Sequence, residues 1–297
     1  MAWTESDSPD QHGRTAVVTG ANSGIGWETA RALAAKGARV IVACRSEEKG
    51  RDAERRIRAA APAADVRFEP LDLGSIASVR AFAEKVSASE SRLDLLVNNA
   101  GVMMPPYGKT ADGFELQLGT NHLGHFALTG LLLPRILAAP KARVVSVSSL
   151  AHFWGRIDFA DLQCERSYNA TRAYGQSKLA NLLFMRELQR RFEAKRAGAL
   201  AAAAHPGSTR TELQRHSGMM NAIVAVFSQQ PPDGALPSLY AATAPDVRGG
   251  DYFGPSGFAG CIGPPGPARS SAASRNAEVA RRLWEVSEQL TGVRFAF

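Results

Sequence analysis

The segment from Thr15 to Gly26 constrains the fold of this chain most, because a short β-prone run leads directly into a glycine-rich turn. Three glycines stand at positions 20, 24 and 26, and a helical pattern follows, with an apolar face made by Ile25, Ala30, Leu33 and Ala34. Glycine permits a turn at positive φ and lets a pyrophosphate approach the backbone closely. A helix N-terminus adds free N–H groups and the positive end of a dipole. The segment therefore predicts a phosphate-binding strand–turn–helix, although its Gly-x-x-x-Gly-x-Gly spacing differs from the common Gly-x-Gly-x-x-Gly.

Length and composition favour one large α/β domain without a membrane span. The chain has 297 residues, of which 45% are hydrophobic, and it contains no uninterrupted apolar run of about 18 residues. Residues 1–12 are polar and lack an apolar signal-peptide core, so we expect a flexible tail there and a single domain over 13–297. The cysteines Cys44, Cys164 and Cys261 are scattered and odd in number. This pattern indicates neither disulfides nor a metal site, and it fits a reducing cytoplasm.

The net charge of +7 has two explanations that the sequence leaves open. Nine Lys and Arg residues stand against four Asp and Glu residues within 31–60. A solvated face on a helix over 47–60 accounts for this excess, and so does a basic rim that attracts a phosphate-bearing cofactor. No basic motif is interleaved with aromatic residues, so we expect no nucleic-acid partner.

Short apolar runs alternate with amphipathic patterns, which is typical of a parallel sheet with helices on both faces. The pattern predicts strands over 14–19, 39–43, 65–69, 93–97, 142–148, 199–204 and 250–253. It predicts helices over 24–36, 47–60, 75–88, 111–138, 171–195, 210–228, 233–243 and 275–290. We expect residues 254–267, rich in Gly and Pro, to form an irregular surface loop. Ligands of such sheets bind beyond the carboxyl ends of the strands, where the candidate residues below are placed.

The second predicted strand ends at Cys44 and Arg45, where NAD-binding sheets usually carry an acidic residue that holds the ribose hydroxyls. A guanidinium at this point can bind a 2′-phosphate through two charge-assisted hydrogen bonds. The pair therefore favours NADP over NAD. The alternative is that Arg45 simply begins a solvated helix.

Two further polar stretches follow the third and fourth predicted strands. Asp72 can accept a hydrogen bond from the adenine amino group, or it can cap the helix that follows. Residues 98–101, Asn-Asn-Ala-Gly, suit a tight turn in which side-chain amides bond to the backbone. Their small side chains leave room for a flat ring, but the same four residues also make an ordinary turn.

Tyr174 and Lys178 are four residues apart on a predicted helix and therefore share one face. A tyrosine pKa of about 10 is too high for easy proton exchange at neutral pH, and a nearby ammonium lowers it. The same spacing occurs on many ordinary helices. Ser148 and Ser149 end the fifth predicted strand, where a hydroxyl can polarise a substrate carbonyl. Asn121 lies inside a long predicted helix, where its amide can hold a water for proton relay or serve as a polar core residue.

In their order along the chain, the motifs are Thr19-Gly20-x-x-x-Gly24-x-Gly26, Asp72, Asn98-Asn99-Ala100-Gly101, Asn121, Ser149, Tyr174-x-x-x-Lys178 and Pro206-Gly207. Together they resemble the short-chain dehydrogenase/reductase family from about residue 13 to residue 290. The resemblance implies a single doubly wound Rossmann-type domain with a seven-stranded, mostly parallel sheet. It implies a catalytic tetrad of Asn121, Ser149, Tyr174 and Lys178. We expect a cofactor site made by Gly20, Asn22, Ser23, Gly24, Ile25, Gly26, Arg45, Ser46, Asp72, Leu73, Asn99, Ala100, Gly101, Tyr174, Lys178, Pro206, Gly207, Thr209 and Thr211.

Within this family, the chain resembles the retinol-dehydrogenase and WW-domain-oxidoreductase-like branch, which mostly uses NADP(H). That resemblance rests on residues 43–46, 147–152, 168–170 and 177–181. As in that branch, the gap between Ser149 and Tyr174 is longer than the family norm. Its residues Phe153, Trp154 and Tyr168 can roof a substrate pocket. The hydrophobic anchor of the membrane-bound retinol enzymes is missing, which favours a soluble, cytoplasmic enzyme and argues against a retinoid substrate.

We therefore expect NADP(H)-dependent interconversion of a carbonyl, either ketone or aldehyde, and an alcohol, with Tyr174 as proton donor and acceptor. Lys178 would lower the pKa of Tyr174 and hold the nicotinamide ribose. Ser149 would orient the carbonyl, because the family's serine usually ends this strand motif, although the sequence does not exclude Ser148. Asn121 would support a water that leads from Lys178 to solvent.

The substrate is expected to be a hydrophobic small molecule. Apolar residues are concentrated in 212–230, which would form a lid over the nicotinamide or a helix packed on the core. We also expect a homo-oligomer, either a dimer or a tetramer. The alternative function is a non-enzymatic NADP-binding sensor or interaction protein on the same fold. No Gly-x-Ser-x-Gly elbow surrounds Ser149, which argues against a hydrolase.

Overall fold

The computed structural model describes residues 2–209 and 229–297, and within them one sheet of eight strands forms the centre of the molecule. These strands are β1 (Thr15–Thr19), β2 (Arg39–Cys44), β3 (Val66–Pro70), β4 (Leu95–Asn98), β5 (Arg143–Val147), β6 (Leu200–Ala204), β7 (Tyr252–Pro255) and β8 (Pro265–Pro267). Across the sheet the order is β3-β2-β1-β4-β5-β6-β7-β8, and all pairs from β3 to β7 are parallel. The doubly wound α/β fold predicted from the sequence is confirmed.

Helices cover both faces of this sheet. They are α1 (Gly24–Ala35), α2 (Glu47–Ala60), α3 (Ile76–Ser89), α4 (Leu116–Leu118), α5 (Gly124–Leu137), α6 (Ala170–Ala194), α7 (Pro231–Thr243) and α8 (Ala277–Thr291). Over the ranges 2–209 and 229–297, no helix is long and apolar enough to cross a membrane. The helix predicted over 210–228, and Thr211 with it, lie outside the described residues.

Helices bury the sheet on both faces. Because successive residues of each strand point to opposite sides, neighbouring residues of one strand lie in different cores. Val17 of β1 lies in one core with Phe82 of α3 and Phe126 of α5. Its neighbour Val18 lies in the opposite core with Leu33 of α1. The apolar face predicted for the first helix is buried at all four positions, Ile25, Ala30, Leu33 and Ala34.

The sheet has eight strands where the sequence predicted seven. The additional strand, β8, lies in the Gly- and Pro-rich stretch that we expected to be an irregular loop. It pairs antiparallel with β7, with Phe253 opposite Pro267 and Pro255 opposite Pro265. Proline has no N–H to donate and is therefore tolerated mainly at sheet edges, which is where β8 lies. Its composition of two prolines and one glycine gave no strand signal.

Residues 2–12 pack against the domain, where the sequence predicted a flexible tail. The ring of Trp3 meets the ring of Tyr240 of α7 edge-on, with centroids 5.2 Å apart. The guanidinium of Arg31 of α1 pairs with the carboxylate of Glu5. Hydrogen bonds also join Lys36 Nζ to the Ser6 carbonyl and the Gln11 N–H to the Lys36 carbonyl, both at 2.8 Å. The segment is therefore held by several contacts that its polar composition did not indicate.

Candidate active site

The turn between β1 and α1 has the backbone conformation that its glycines predicted. Gly20 and Gly24 have φ angles of +65° and +56°. A Cβ on Gly20 would lie 2.9 Å from the Cα of Ala100, so only glycine lets this turn lie against the turn after β4. Ser23 directly precedes α1, and its side chain makes no capping hydrogen bond to the helix. The N–H groups of the first turn of α1 therefore keep their capacity to bind an anion.

Arg45 and Ser46 stand at the carboxyl end of β2. The guanidinium of Arg45 is exposed and has no hydrogen bond or ion pair with any described residue. Ser46 caps α2, because its hydroxyl accepts the backbone N–H of Lys49 at 3.3 Å. The Cys44 thiol donates to the carbonyl of Ser46 at 3.4 Å. An exposed cation beside a helix N-terminus can bind a phosphate group.

Asp72 does not cap the helix that follows it, which was one of its two predicted roles. Its Oδ1 accepts the N–H of Gly74 at 2.9 Å within a tight turn. The cap of α3 is Ser75, whose hydroxyl accepts the N–H of Ser78 at 3.3 Å. Leu73 is buried beneath this turn. The role of Asp72 as an acceptor for adenine therefore stays a prediction.

The turn after β4 is fastened to the end of β1. The backbone N–H groups of Asn99 and Ala100 both donate to Thr19 Oγ1 at 2.9 Å, and Asn99 Nδ2 donates to the Thr19 carbonyl at 2.7 Å. A Cβ on Gly101 would lie 3.1 Å from Asn121 Oδ1 and 3.4 Å from Lys178 Nζ. The absence of a side chain at Gly101 thus lets this turn lie beside the predicted catalytic residues.

Tyr174 and Lys178 occupy one face of α6, as predicted, and both side chains are buried. Lys178 Nζ lies 5.7 Å from the centroid of the Tyr174 ring. It donates a hydrogen bond to the carbonyl of Val147, the last residue of β5, at 3.3 Å. The pair therefore lies at the carboxyl end of the central strand β5.

Burial has the largest influence on the protonation of both groups. It raises the pKa of Tyr174 to about 12, against the opposing effect of a hydrogen bond with Ser149. It lowers the pKa of Lys178 to about 8. Removal from water disfavours the charged form of each group, which is an anion for tyrosine and a cation for lysine. The sequence had led us to expect a lowered pKa for Tyr174, and in this structure burial outweighs any such effect.

The two candidate serines have different partners. Ser148 is buried, and its hydroxyl donates to the carbonyl of Lys178 at 2.8 Å. Ser149 is only half-buried, accepts the N–H of Ala151 at 3.2 Å, and its hydroxyl acts to lower the pKa of Tyr174. The geometry thus favours Ser149, and gives Ser148 a structural bond.

Asn121 lies in a π-helical turn, Gly119–Leu123, which separates α4 from α5. The sequence had predicted one continuous helix over 111–138. Asn121 is fully buried, and its Oδ1 accepts the N–H of Val102 at 2.8 Å. Its Nδ2 donates to the carbonyl of Val102 at 3.0 Å and to Ser177 Oγ at 2.9 Å. Both amide hydrogens are therefore used by the protein, which supports the structural alternative for this side chain.

The loop after β6 carries the last predicted cofactor residues. Gly207 has a φ of +66°, and a Cβ there would overlap the carbonyl oxygen of Cys261. The carbonyl of Pro206 accepts the Thr209 hydroxyl at 2.8 Å and Gln229 Nε2 at 3.0 Å. These contacts give the loop a defined path up to the edge of the described residues.

The segment between Ser149 and Tyr174 was expected to contribute three aromatic rings to a substrate pocket. Phe153 and Trp154 are 49% and 53% exposed, as an apolar rim requires. Tyr168 instead ties the segment to the loop after β4, because its hydroxyl donates to the Pro105 carbonyl at 2.7 Å. Phe258, in the stretch that we expected to be an irregular loop, is 72% exposed.

Sequence reasoning missed the histidines of the site. His152 Nδ1 donates to the carbonyl of Ser149 at 2.7 Å, and His125 Nδ1 donates to the carbonyl of Asn121 at 2.9 Å. The available signal was spacing: His125 follows Asn121 by four residues and therefore lies one helical turn away.

Comparisons with known proteins agree with this arrangement. A sequence model of the short chain dehydrogenase family matches residues 14–222. Human retinol dehydrogenase 12 is 47% identical over 288 residues, which cover 95% of this chain and 88% of that protein. Mouse retinol dehydrogenase 13 is 45% identical over 299 residues, which cover 96% of this chain and 85% of that protein.

Solved structures show the same fold. An uncharacterised protein from Mycobacterium paratuberculosis has a TM-score of 0.85 and 45% identity, with 100% of both chains covered. RhlG from Pseudomonas aeruginosa, solved as an NADP active-site complex, has a TM-score of 0.65 and 27% identity, covering 82% of this chain and 94% of that one. The chain therefore belongs to the short-chain dehydrogenase family, and within it to the retinol-dehydrogenase-like branch.

Proposed function

We propose that this protein is an NADP(H)-dependent oxidoreductase that interconverts a hydrophobic alcohol and its ketone or aldehyde. The observation that carries the proposal is the buried phenol of Tyr174, with the Ser149 hydroxyl acting to lower its pKa and Lys178 following one helical turn later. Gly101 lies beside Lys178 and joins this group to the turn after β4. The arrangement supports proton transfer next to a bound nicotinamide.

The described residues fit an NADP cofactor. The left-handed glycines and the uncapped start of α1 suit a pyrophosphate, and the open guanidinium of Arg45 with Ser46 suits a 2′-phosphate. When bound, the cofactor supplies or accepts the hydride. We propose that the residues which hold it are those expected from the sequence, Gly20, Asn22, Ser23, Gly24, Ile25, Gly26, Arg45, Ser46, Asp72, Leu73, Asn99, Ala100, Gly101, Tyr174, Lys178, Pro206, Gly207, Thr209 and Thr211.

Tyr174 is the proton donor for carbonyl reduction in this proposal. Burial keeps the phenol protonated at neutral pH, so a proton is available for the carbonyl oxygen. The Ser149 hydroxyl donates to the same oxygen and orients it. The ammonium of Lys178 stabilises the phenolate that remains after the transfer. In the oxidative direction Tyr174 must lose its proton before it can act as a base.

Two observations support a hydrophobic substrate. Phe153 and Trp154, which come four and five residues after Ser149, expose about half of their side chains. Exposed aromatic rings at the rim of a site favour apolar ligands over sugars, whose buried hydroxyls would each need a polar partner. The retinol dehydrogenases are named for retinol, itself an apolar alcohol. Retinol and retinal therefore belong in a test panel with simpler alkyl and aryl compounds.

Replacement of Tyr174 by Phe tests the proposed function. We expect turnover to fall by about 100-fold or more, because the proton donor is lost. NADPH affinity should stay within about twofold, since the other contacts proposed for the cofactor are intact. Lys178→Ala should lower turnover and also weaken NADPH binding. The measurement is NADPH oxidation with the carbonyl panel, together with NADPH fluorescence titration. A wild-type protein that binds NADPH and reduces no member of the panel would favour the sensor alternative.

Replacement of Arg45 by Ala tests the cofactor preference. NADPH binding should weaken by about tenfold, because the guanidinium contact to the 2′-phosphate is lost, while NADH binding stays unchanged. Arg55→Ala is the matched control, since Arg55 is an exposed arginine of α2 that pairs with Asp52. The double variant Arg45→Ala with Cys44→Asp should bind NADH more tightly than NADPH. Equal effects of Arg45→Ala on the two cofactors, measured by fluorescence titration at low salt, would contradict the assignment.

The pH profile of alcohol oxidation tests the protonation of Tyr174. Because burial raises the pKa of Tyr174 to about 12, the base form becomes more abundant throughout the alkaline range. We therefore expect kcat/KM for oxidation to rise by up to about tenfold per pH unit between about pH 7 and 9. Ser149→Ala removes a hydrogen bond that lowers this pKa, so its profile should shift to higher pH.

Ser148→Ala provides the control for that shift. Its hydroxyl bonds to the carbonyl of Lys178 and makes no proposed contact with substrate, so the position of the profile should not change. A flat oxidative profile, with hydride transfer shown to be rate-limiting by a deuterium isotope effect, would rule out Tyr174 as the base.

A further inference from the structure

His125 lies one helical turn after Asn121, at the start of α5, and is 2% exposed. Its Nδ1 lies 2.9 Å from the main-chain carbonyl oxygen of Asn121, and its Nε2 lies 2.9 Å from Thr19 Oγ1. A carbonyl oxygen only accepts, so Nδ1 carries the hydrogen. Burial lowers the pKa of His125 to about 4, which makes the ring neutral at pH 7. Nε2 is therefore an acceptor, and the Thr19 hydroxyl donates to it.

The hydroxyl of Thr19 is fully used by these contacts. Its oxygen accepts the backbone N–H groups of Asn99 and Ala100, both at 2.9 Å. Its hydrogen has a second acceptor in the Val97 carbonyl, but at 3.4 Å this oxygen is farther away than Nε2. One hydroxyl thus joins the turn after β4 to the imidazole of His125.

Asn121 carries the connection onward to α6. Its side chain accepts the N–H of Val102 at 2.8 Å and donates to Ser177 Oγ at 2.9 Å. The Ser177 hydroxyl donates in turn to the carbonyl of Tyr174 at 2.9 Å. Ser177 directly precedes Lys178 in the chain. Hydrogen bonds to the main-chain carbonyl and to the side chain of Asn121 therefore connect the end of β1 to the helix that carries the proposed proton donor.

The backbone of His125 is held as firmly as its ring. The His125 carbonyl accepts the Thr129 hydroxyl at 2.8 Å, and Thr129 Oγ1 accepts Asn98 Nδ2 at 3.0 Å. The imidazole thus has one hydrogen bond on each nitrogen and a carbonyl anchored to the end of β4. Because the ring is held in this way, a shift of the Thr19 hydroxyl on one side would move the Asn121 carbonyl on the other.

We propose that His125 is a positioning residue that couples the cofactor turns to the catalytic helix. The cofactor turns are defined here as Thr19–Gly20 and Asn99–Gly101. The bond from Thr19 to His125 sets the position of these turns relative to α5. The bond from His125 to Asn121 sets the position of the π-helical turn, and the bond from Asn121 to Ser177 links that turn to the part of α6 that carries Tyr174. The inference rests on the proposed function, because it assigns cofactor binding to one end of the connection and proton transfer to the other.

Two substitutions separate the two bonds. His125→Asn places an amide nitrogen two bonds from Cβ, as Nδ1 is, and keeps the donor to Asn121 while it loses the acceptor for Thr19. His125→Gln places its amide three bonds from Cβ, as Nε2 is, and keeps the acceptor while it loses the donor. His122→Gln is the matched control, because His122 lies in the same π-helical turn, is buried, and bonds through Nε2 to Ser287 of α8 at 2.9 Å.

The two variants should show opposite effects. His125→Asn is expected to raise the Kd for NADPH roughly tenfold and to change kcat by less than about threefold. His125→Gln is expected to lower kcat roughly tenfold and to change the Kd by less than about threefold. The control should leave both constants within about twofold, even where it lowers the unfolding temperature. Proportional losses of kcat and affinity in both variants, matched to their loss of thermal stability, would reduce His125 to a packing residue and overturn the proposal.

A spectroscopic measurement tests the geometry without turnover. Long-range ¹H–¹⁵N spectra of the wild-type protein at pH 7 should show a neutral His125 ring with the hydrogen on Nδ1. A ring protonated on Nε2, or on both nitrogens, would overturn the proposed connection. Tyr174→Phe, measured alongside, distinguishes the two failures. Substantial turnover in that variant would contradict the proposed function. Loss of turnover in that variant, together with wild-type kcat and Kd in both His125 variants, would contradict only this inference.

Discussion

The pairing of β1 with β4 is the constraint on which the site depends. The chain runs outward from β1 to β3 on one side and returns to β4 on the other, so the crevice of this parallel sheet opens between these two strands. Three donors from the turn after β4 converge on the backbone and hydroxyl of Thr19 at the end of β1. This contact is close only because Gly20 has no side chain. The proposed cofactor turns and the helix that carries Tyr174 and Lys178 are thereby brought to the same edge of the sheet.

Removal from water governs the chemistry at that edge. Burial favours the neutral forms of Tyr174, Lys178 and His125, and it does so by raising the pKa of the acid and lowering those of the bases. A neutral phenol suits a proton donor for carbonyl reduction at neutral pH. A neutral imidazole has one donor and one acceptor, and the protein uses both. The same burial that keeps the proposed proton donor protonated thus keeps the His125 ring neutral, and the Asn121 carbonyl then fixes its tautomer.

Much of the fold followed from hydrophobic periodicity, because a parallel sheet buried on both faces has few alternative solutions. The glycine turn, the Tyr174–Lys178 face and the doubly wound, mostly parallel sheet were all predicted correctly. The strand β8 was missed because prolines at an edge give no β signal, and the packed N-terminal segment was missed because its contacts are made by only a few side chains.

The internal connections of the site were beyond sequence reasoning for a different reason. Whether Ser148 or Ser149 faces Tyr174 depends on a rotation of the chain at the end of β5 that periodicity does not resolve. The π-helical turn around Asn121 depends on tertiary contacts with Val102 and Ser177, which lie far from it in sequence. A structure was needed to show which polar groups are already satisfied by the protein and which remain available to a ligand.

Transfer of deuterium from cofactor to substrate is the measurement that tests the central claim most directly. NADPH carrying two deuterium atoms at the reactive nicotinamide carbon is incubated with the wild-type protein and an alkyl or aryl ketone, and the alcohol is examined by mass spectrometry. We expect one deuterium at the carbinol carbon of the product, delivered faster from NADPH than from NADH labelled in the same way. An alcohol without deuterium, or no alcohol from any apolar carbonyl compound despite NADPH binding, would contradict it.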